Sequence, residues 1–268
     1  GEFKCGTNDY WLAENTPCVF SAQCSDPAEC VAWSGAPAFA DFPDGGRRVS
    51  FAVVEPETIV VDVFAPTHVW TGAASTDFKT DGNWADASGA ETAAPGPDAR
   101  VFIPVGAPNQ PTAQKAISVG ELRIGRLTND TRTATFTSET TAMHQIAGSL
   151  VVYKGGKMTH TALLSTDTKI SQERYKLNLS VGEVTVMKDG RIDVTGRGFS
   201  ATKGPGVVTV NLAGGSIRSL AMHGGTYYDG KSYGSLAAPT NCGSGAKIGN
   251  GGGAIRIEAS GDICIWGE

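Results

Sequence analysis

The densest group of chemically able side chains is the run "HGGTYYDGKSYG", residues 223 to 234, which holds His223, Tyr227, Tyr228, Asp229, Lys231 and Tyr233. Tyrosine rings offer apolar faces to a pyranose, while a carboxylate and an amine beside them hydrogen-bond its hydroxyls, so the chemistry these residues suit is contact with a glycan. The plainer alternative is that the tyrosines close a glycine-rich loop onto the body of the fold. Catalysis has thinner support. Hydrolysis of a glycosidic bond needs two carboxylates at a fixed separation, and elimination from a uronate needs a base beside a group that neutralises the carboxylate. Asp193 in "GRIDVTGRG" and Asp167 in "STDTKI" are the acids best placed for this, with Arg197 and Lys203 nearby in sequence. Asp193, however, alternates outward between Ile192 and Val194, as a solvated strand position does. The four histidines (His68, His144, His160 and His223) are scattered. The sequence therefore favours a non-catalytic role, with a polysaccharide lyase or glycoside hydrolase as the alternative.

No catalytic set, cofactor or metal site is implied. "GNGGGA" precedes a strand pattern rather than a helix, there is no P-loop, and the cysteine spacings include no C-x-x-C pair. Cys5, Cys18, Cys24 and Cys30 cluster near the start, and Cys242 and Cys264 lie near the end. An even number of cysteines separated by irregular spacers fits disulfides formed in an oxidising, extracellular or cell-surface setting. Cys242 and Cys264 are expected to bridge adjacent turns, and the four clustered cysteines permit three pairings. The triplets at Asn129 and Asn178 are candidate glycosylation sites.

The elements that would carry these residues are strands. Of 268 residues 35 are glycine, and strong helix formers are sparse. Residues 1 to 66 read as a cysteine-rich, loop-rich segment held by disulfides. It ends in a hairpin or strand pair, "VSFAVVEPETIVVDVF", broken at Glu55-Pro56. Residues 67 to 268 form the second unit, beginning with a region that contains Trp70 and Trp84.

There a template recurs, glycine followed by two apolar residues at period two: Gly120-x-Leu122-x-Ile124, Gly148-x-Leu150-x-Val152, Gly182-x-Val184-x-Val186 and Gly253-x-Ile255-x-Ile257. A second strand follows the last three at Met158, Ile192 and Ile263. Such strand-turn-strand units bury their apolar faces only by stacking, which predicts an all-β solenoid, a right-handed parallel β-helix. The interval from 182 to 253 holds either two coils or one coil with a long excursion, and two are expected because "VVTVNLAGGSIRSL" supplies further alternating strands. About 196 to 252 is a glycine-rich excursion.

Two stretches carry a family resemblance. The order W-T-G, G-N-W, P-G-P-D-A-x-V-F-I-P and V-G-E-L-R-I resembles the start of secreted parallel β-helix proteins, including autotransporter-like passengers. From about 180 to 268, "GRGFSATKGPG" and "HGGTYYDGKSYGSLAAPTNCGSGAKIGNGGGAIRI" resemble a module of large glycine-rich surface proteins of bacteria and some protists. The resemblance implies a right-handed β-helix with a glycine-rich loop on one face, and no particular activity.

The net charge of -5 without a basic run argues against nucleic acid, and no apolar stretch is long enough to span a membrane. The chain stops at "GDICIWGE" without a polar cap. The expectation is either a fragment of a longer polypeptide or an open end that meets other protein chains, as an adhesive surface component or a unit of a fibre.

Overall fold

The computed structural model describes residues 64–125, 132–207, 233–235 and 237–266. It also gives the backbone of strands at 2–5, 8–11, 17–21, 30–34, 48–52, 60–63, 208–211 and 217–221. The fold is all-β with parallel sheets, and the described residues contain only two short 3-10 turns, Asp81–Asn83 and Ile170–Gln172.

The N-terminal segment contains more strand than its cysteine spacing implies. β1 (Glu2–Cys5) pairs antiparallel with β2 (Asn8–Trp11). β3 (Pro17–Ser21) pairs with β5 (Arg48–Ala52), and β4 (Cys30–Ser34) with β6 (Val60–Phe64). The expected hairpin between 49 and 64 is thus corrected. Its two β-branched strands exist, but each takes a partner from the cysteine-rich stretch rather than the other. The side chains of Cys5, Cys18 and Cys30, and all of Cys24, lie outside the described residues.

The chain then runs through β7 (His68–Trp70), β8 (Trp84–Ala85), β9 (Arg100–Pro104), β10 (Thr112–Ala113), β11 (Ser118–Val119), β12 (Glu121–Gly125), β13 (Ala134–Ser138), β14 (His144–Val152), β15 (Gly156–His160), β16 (Leu177–Val186) and β17 (Arg191–Ile192). From β10 to β17 it alternates between two sheets. One has the order β10-β13-β15-β17 and is wholly parallel. The other runs from β8 and β7 through β9, β12, β14 and β16 to β20 (Ile255–Ala259), with β21 (Ile263–Ile265) also on β16. Only its β7–β8 pair is antiparallel.

Because side chains alternate across a strand, in-register parallel pairing stacks like on like. Val101, Leu122, Leu150, Val184 and Ile263 form one column, and Ile103, Ile124, Val152, Val186 and Ile265 the next. The glycine that leads each copy is required by close approach of the backbones. Gly148 N donates to Gly120 O at 2.7 Å, Gly261 N to Gly182 O at 2.8 Å, and a Cβ on Gly182 would lie 2.6 Å from the Gly148 carbonyl oxygen.

These columns revise the fourth copy. Ile255 and Ile257 pair with Leu177 and Leu179, half a repeat earlier than expected, and the partner of Gly182-x-Val184-x-Val186 is Gly261-x-Ile263-x-Ile265. Met158 and Ile192 do pair with each other, but Ile263 joins Val184 instead. The interval before β20 holds a single return to the sheet rather than two coils. β18 (Val207–Asn211) and β19 (Ile217–Ala221) form an antiparallel hairpin apart from both parallel sheets.

One apolar core lies between the two sheets, with Phe136 and Met158 from one meeting Leu150 and Val184 from the other. At its N-terminal end Trp70, Phe78 and Trp84 pack as a plug, the Trp84 ring 4.9 Å from both of the others. Trp84 Nε1 donates to Phe78 O at 2.9 Å and Trp70 Nε1 to Asn109 O at 2.7 Å, so neither indole is buried with its N–H unsatisfied.

Candidate functional site

Of the tyrosine-rich loop, His223, Tyr227, Tyr228, Asp229 and Lys231 lie outside the described residues. Tyr233 is turned inward: it is buried, and its hydroxyl donates to the Cys242 carbonyl at 2.6 Å. Burial pushes its hydroxyl pKa up. Tyr233 therefore closes the excursion and offers no open ring face to a sugar, which corrects its assignment to a ligand site.

The excursion is held by backbone contact between glycine-rich segments. Gly198 N donates to Gly251 O, Gly243 N to Gly252 O and Phe199 N to Gly243 O, at 2.7–3.0 Å. A Cβ on Gly251 would collide with the Gly243 carbonyl. The expected Cys242–Cys264 bridge is absent, and both thiols are free. Register explains this: Cys264 stands opposite Thr185 in β21, whereas Cys242 is buried against Phe199, Leu163 and Ala254.

A buried carboxylate does the pinning instead. Glu173 accepts the Cys242 N–H at 3.0 Å and pairs with Lys176 at 2.7 Å, and Lys176 also donates to Thr240 O at 2.7 Å. Farther along, His160 Nε2 accepts the Ala254 N–H at 3.1 Å while its Nδ1 contacts Thr161 O at 2.8 Å. Desolvation lowers the His160 pKa and keeps the ring neutral, as this acceptor role requires. Sequence reasoning missed the roles of Glu173, Lys176 and His160, because the Cys242, Thr240 and Ala254 groups that they bind lie 64 to 94 residues away.

The acids considered for catalysis serve structure. Asp193 binds Lys157 Nζ at 2.7 Å and accepts the Thr195 N–H at 2.8 Å, and the Lys157 hydrogen bond foremost holds its carboxyl well below the usual range. Asp167 is buried, accepts the Leu164 N–H at 2.9 Å and faces Arg174 at 3.5 Å. The Arg197 carbonyl accepts the Leu163 N–H, and Lys203 is exposed. His144 is buried, with Nδ1 accepting the Ile117 N–H at 3.1 Å and Nε2 against Ser138 Oγ at 2.8 Å. Asn178 lies within β16, its amide donating to Thr141 O at 2.7 Å, while Asn129 lies outside the described residues. Among the described residues no cluster of His, Cys, Asp or Glu is built to hold a metal. No helix there is long and apolar enough to cross a membrane.

Two surface features remain. A shallow groove of about 330 Å³ lies on the outer side of the large sheet, beside the register shift after Ile146, and is lined by Gln145, Ser180, Gly182, Glu258 and Ser260. It leads to the sheet edge made by β20 and β21. These strands pair with β16 on one side, and no described strand pairs with them on the other. Ile263 and Ile265 are 49% and 64% exposed, whereas Val184 and Val186 beside them in the same columns are at most 2% exposed. Ile255 and Trp266 are exposed with them, and Arg256 and Glu258 face outward as an ion pair.

No known protein family, curated protein or solved structure matches the chain.

Proposed function

We propose that this is a non-catalytic extracellular structural or adhesive protein, a right-handed parallel β-helix that engages other protein chains through its uncovered final rung. The observation that carries the reading is the contrast along two columns: Ile263 and Ile265 are exposed where their neighbours are sealed. Each such side chain gains roughly 1.5–3 kcal/mol when fully buried, so another strand laid on this edge is favoured by apolar burial and by a waiting row of backbone N–H and C=O groups. The enzymatic alternative loses its best acid to Lys157. The extracellular placement draws on the cysteine-rich start and on the resemblance of residues 180 to 268 to glycine-rich surface modules.

Sedimentation velocity of the chain at about 1–100 μM tests the reading. Concentration-dependent association, reduced by Ile257→Asp or by Ile263→Asp, is expected, together with no release of unsaturated or reducing ends from uronate polysaccharides. Turnover of such a polymer, or association indifferent to both substitutions, would reject it.

A further inference from the structure

We propose that the occupant of the final rung is a second copy of this chain, paired antiparallel through β20 about a two-fold axis at Ile257. The inference rests on the assembly reading above and names its partner. Head-to-tail stacking needs a receiving edge at the other end, where among the described residues the packed rings of Trp70, Phe78 and Trp84 sit. Trp70, Phe78 and Trp84 are at most 1% exposed there, and β8 turns back antiparallel on β7. Pairing of like with like is the isologous contact of a two-fold dimer.

The sequence of β20, Ile255-Arg256-Ile257-Glu258-Ala259, is complementary to itself when reversed. Its odd-numbered residues continue columns of the interior, since Ile255, Ile257 and Ala259 pair with Leu177, Leu179 and Val181. Arg256 and Glu258 point outward and are half or more exposed. Laid antiparallel against a copy with Ile257 at the centre, Ile255 meets Ala259, Ile257 meets Ile257, and each Arg256 meets a Glu258. Every apolar residue then faces an apolar residue, and four charges alternate in sign along the outer face.

The neighbouring registers fail. Centring on Arg256 or on Glu258 sets like charges directly opposite, which destabilises a cross-strand pair. A shift of half that distance turns the apolar set outward. Parallel in-register pairing sets Arg256 on Arg256. Only the Ile257-centred arrangement satisfies both faces, and an isologous contact stops at two copies.

The charge pattern supplies the test, read by sedimentation equilibrium of the whole chain. The wild type is expected to be a dimer. R256E and E258R alone each place like charges opposite one another and should weaken self-association about tenfold or more. The double variant R256E/E258R should recover dimers, and an equimolar mixture of the two single variants should form heterodimers. These substitutions are at exposed positions, and recovery by mixing shows that each variant is folded. If Ile257→Asp abolishes a wild-type dimer but the charge variants behave like wild type, the two-fold register is overturned and the assembly reading survives. A wild type that stays monomeric to about 100 μM overturns both. Species growing beyond dimers overturn the two-fold contact in favour of continued stacking.

Discussion

The guanidinium of Arg123 lies 4.5 Å from the centroid of the Phe64 ring, joining the end of the N-terminal segment to the outer face of the large sheet. Arg123 is only 4% exposed, yet it sits on the face that points away from the core. Its Nη1 donates to Ser149 O at 2.9 Å and to Ser149 Oγ at 3.0 Å, and its Nη2 pairs with Glu121 at 3.1 Å. A cation stripped of water must be satisfied by such partners, and here Glu121 comes from its own strand and Ser149 from the neighbouring β14.

Removing that cation should therefore cost more than a surface change. Arg123→Ala is expected to lower stability by about 2–3 kcal/mol, and a double-mutant cycle with Phe64→Ala should give a coupling of about 0.5–2 kcal/mol. Urea unfolding midpoints with an unchanged slope measure both. A coupling near zero would mean that Phe64 only shields Arg123 and does not bind it.

Legibility in the sequence followed the range of the interaction. Gly148-x-Leu150-x-Val152 and Gly182-x-Val184-x-Val186 were readable because period two and the leading glycine are local, and they do stack. Gly253-x-Ile255-x-Ile257 and Gly261-x-Ile263-x-Ile265 carry the same pattern, and which one continues the columns of Val184 and Val186 is decided only by pairing across the sheet. The Glu173 contact to the Cys242 N–H spans 69 residues, beyond the reach of any spacing rule. Tyr233 was legible as an aromatic in a glycine-rich loop, but the carbonyl it binds was not.

The leading glycines should be intolerant of even one methyl group. A Cβ on Gly182 would sit 2.6 Å from the Gly148 carbonyl oxygen, a backbone atom that cannot rotate aside, so Gly182→Ala should destabilise by about 1–3 kcal/mol. Gly249 has nothing within 4 Å of such a Cβ, and Gly249→Ala should stay within about 0.5 kcal/mol of wild type. Thermal unfolding of the two variants side by side checks this, and equal shifts would refute the close approach.

Acid should loosen the fold through His144. Burial, which penalises the charged ring, lowers its pKa from 6.5 to about 4, and the neutral ring accepts the Ile117 N–H. The unfolded chain binds a proton through that window and the folded chain does not. Stability is therefore full above about pH 6.5 and falls as the pH drops towards 4, by up to about 3 kcal/mol. His160, lowered by its own burial, adds to the loss in the same direction. Urea midpoints measured from pH 7.5 to 4.5 should slope downwards, and His144→Gln should flatten part of that slope. An unchanged slope in the variant would place the proton elsewhere.

The two C-terminal thiols should differ in reactivity. Burial pushes the Cys242 thiol up to about 12, with Glu173 adding to the shift, so almost none of it is thiolate at neutral pH and little reagent reaches it. Cys264 stands half-buried on the sheet edge, opposite Thr185. Iodoacetamide applied to the native chain at pH 8, with the peptides read by mass spectrometry, should modify Cys264 at least about tenfold faster than Cys242. After unfolding in urea the two should react alike. A bridge between them would leave both unmodified in either state until a reductant is added, so a single labelling series separates the free-thiol arrangement from the disulfide that the spacing of these cysteines suggests.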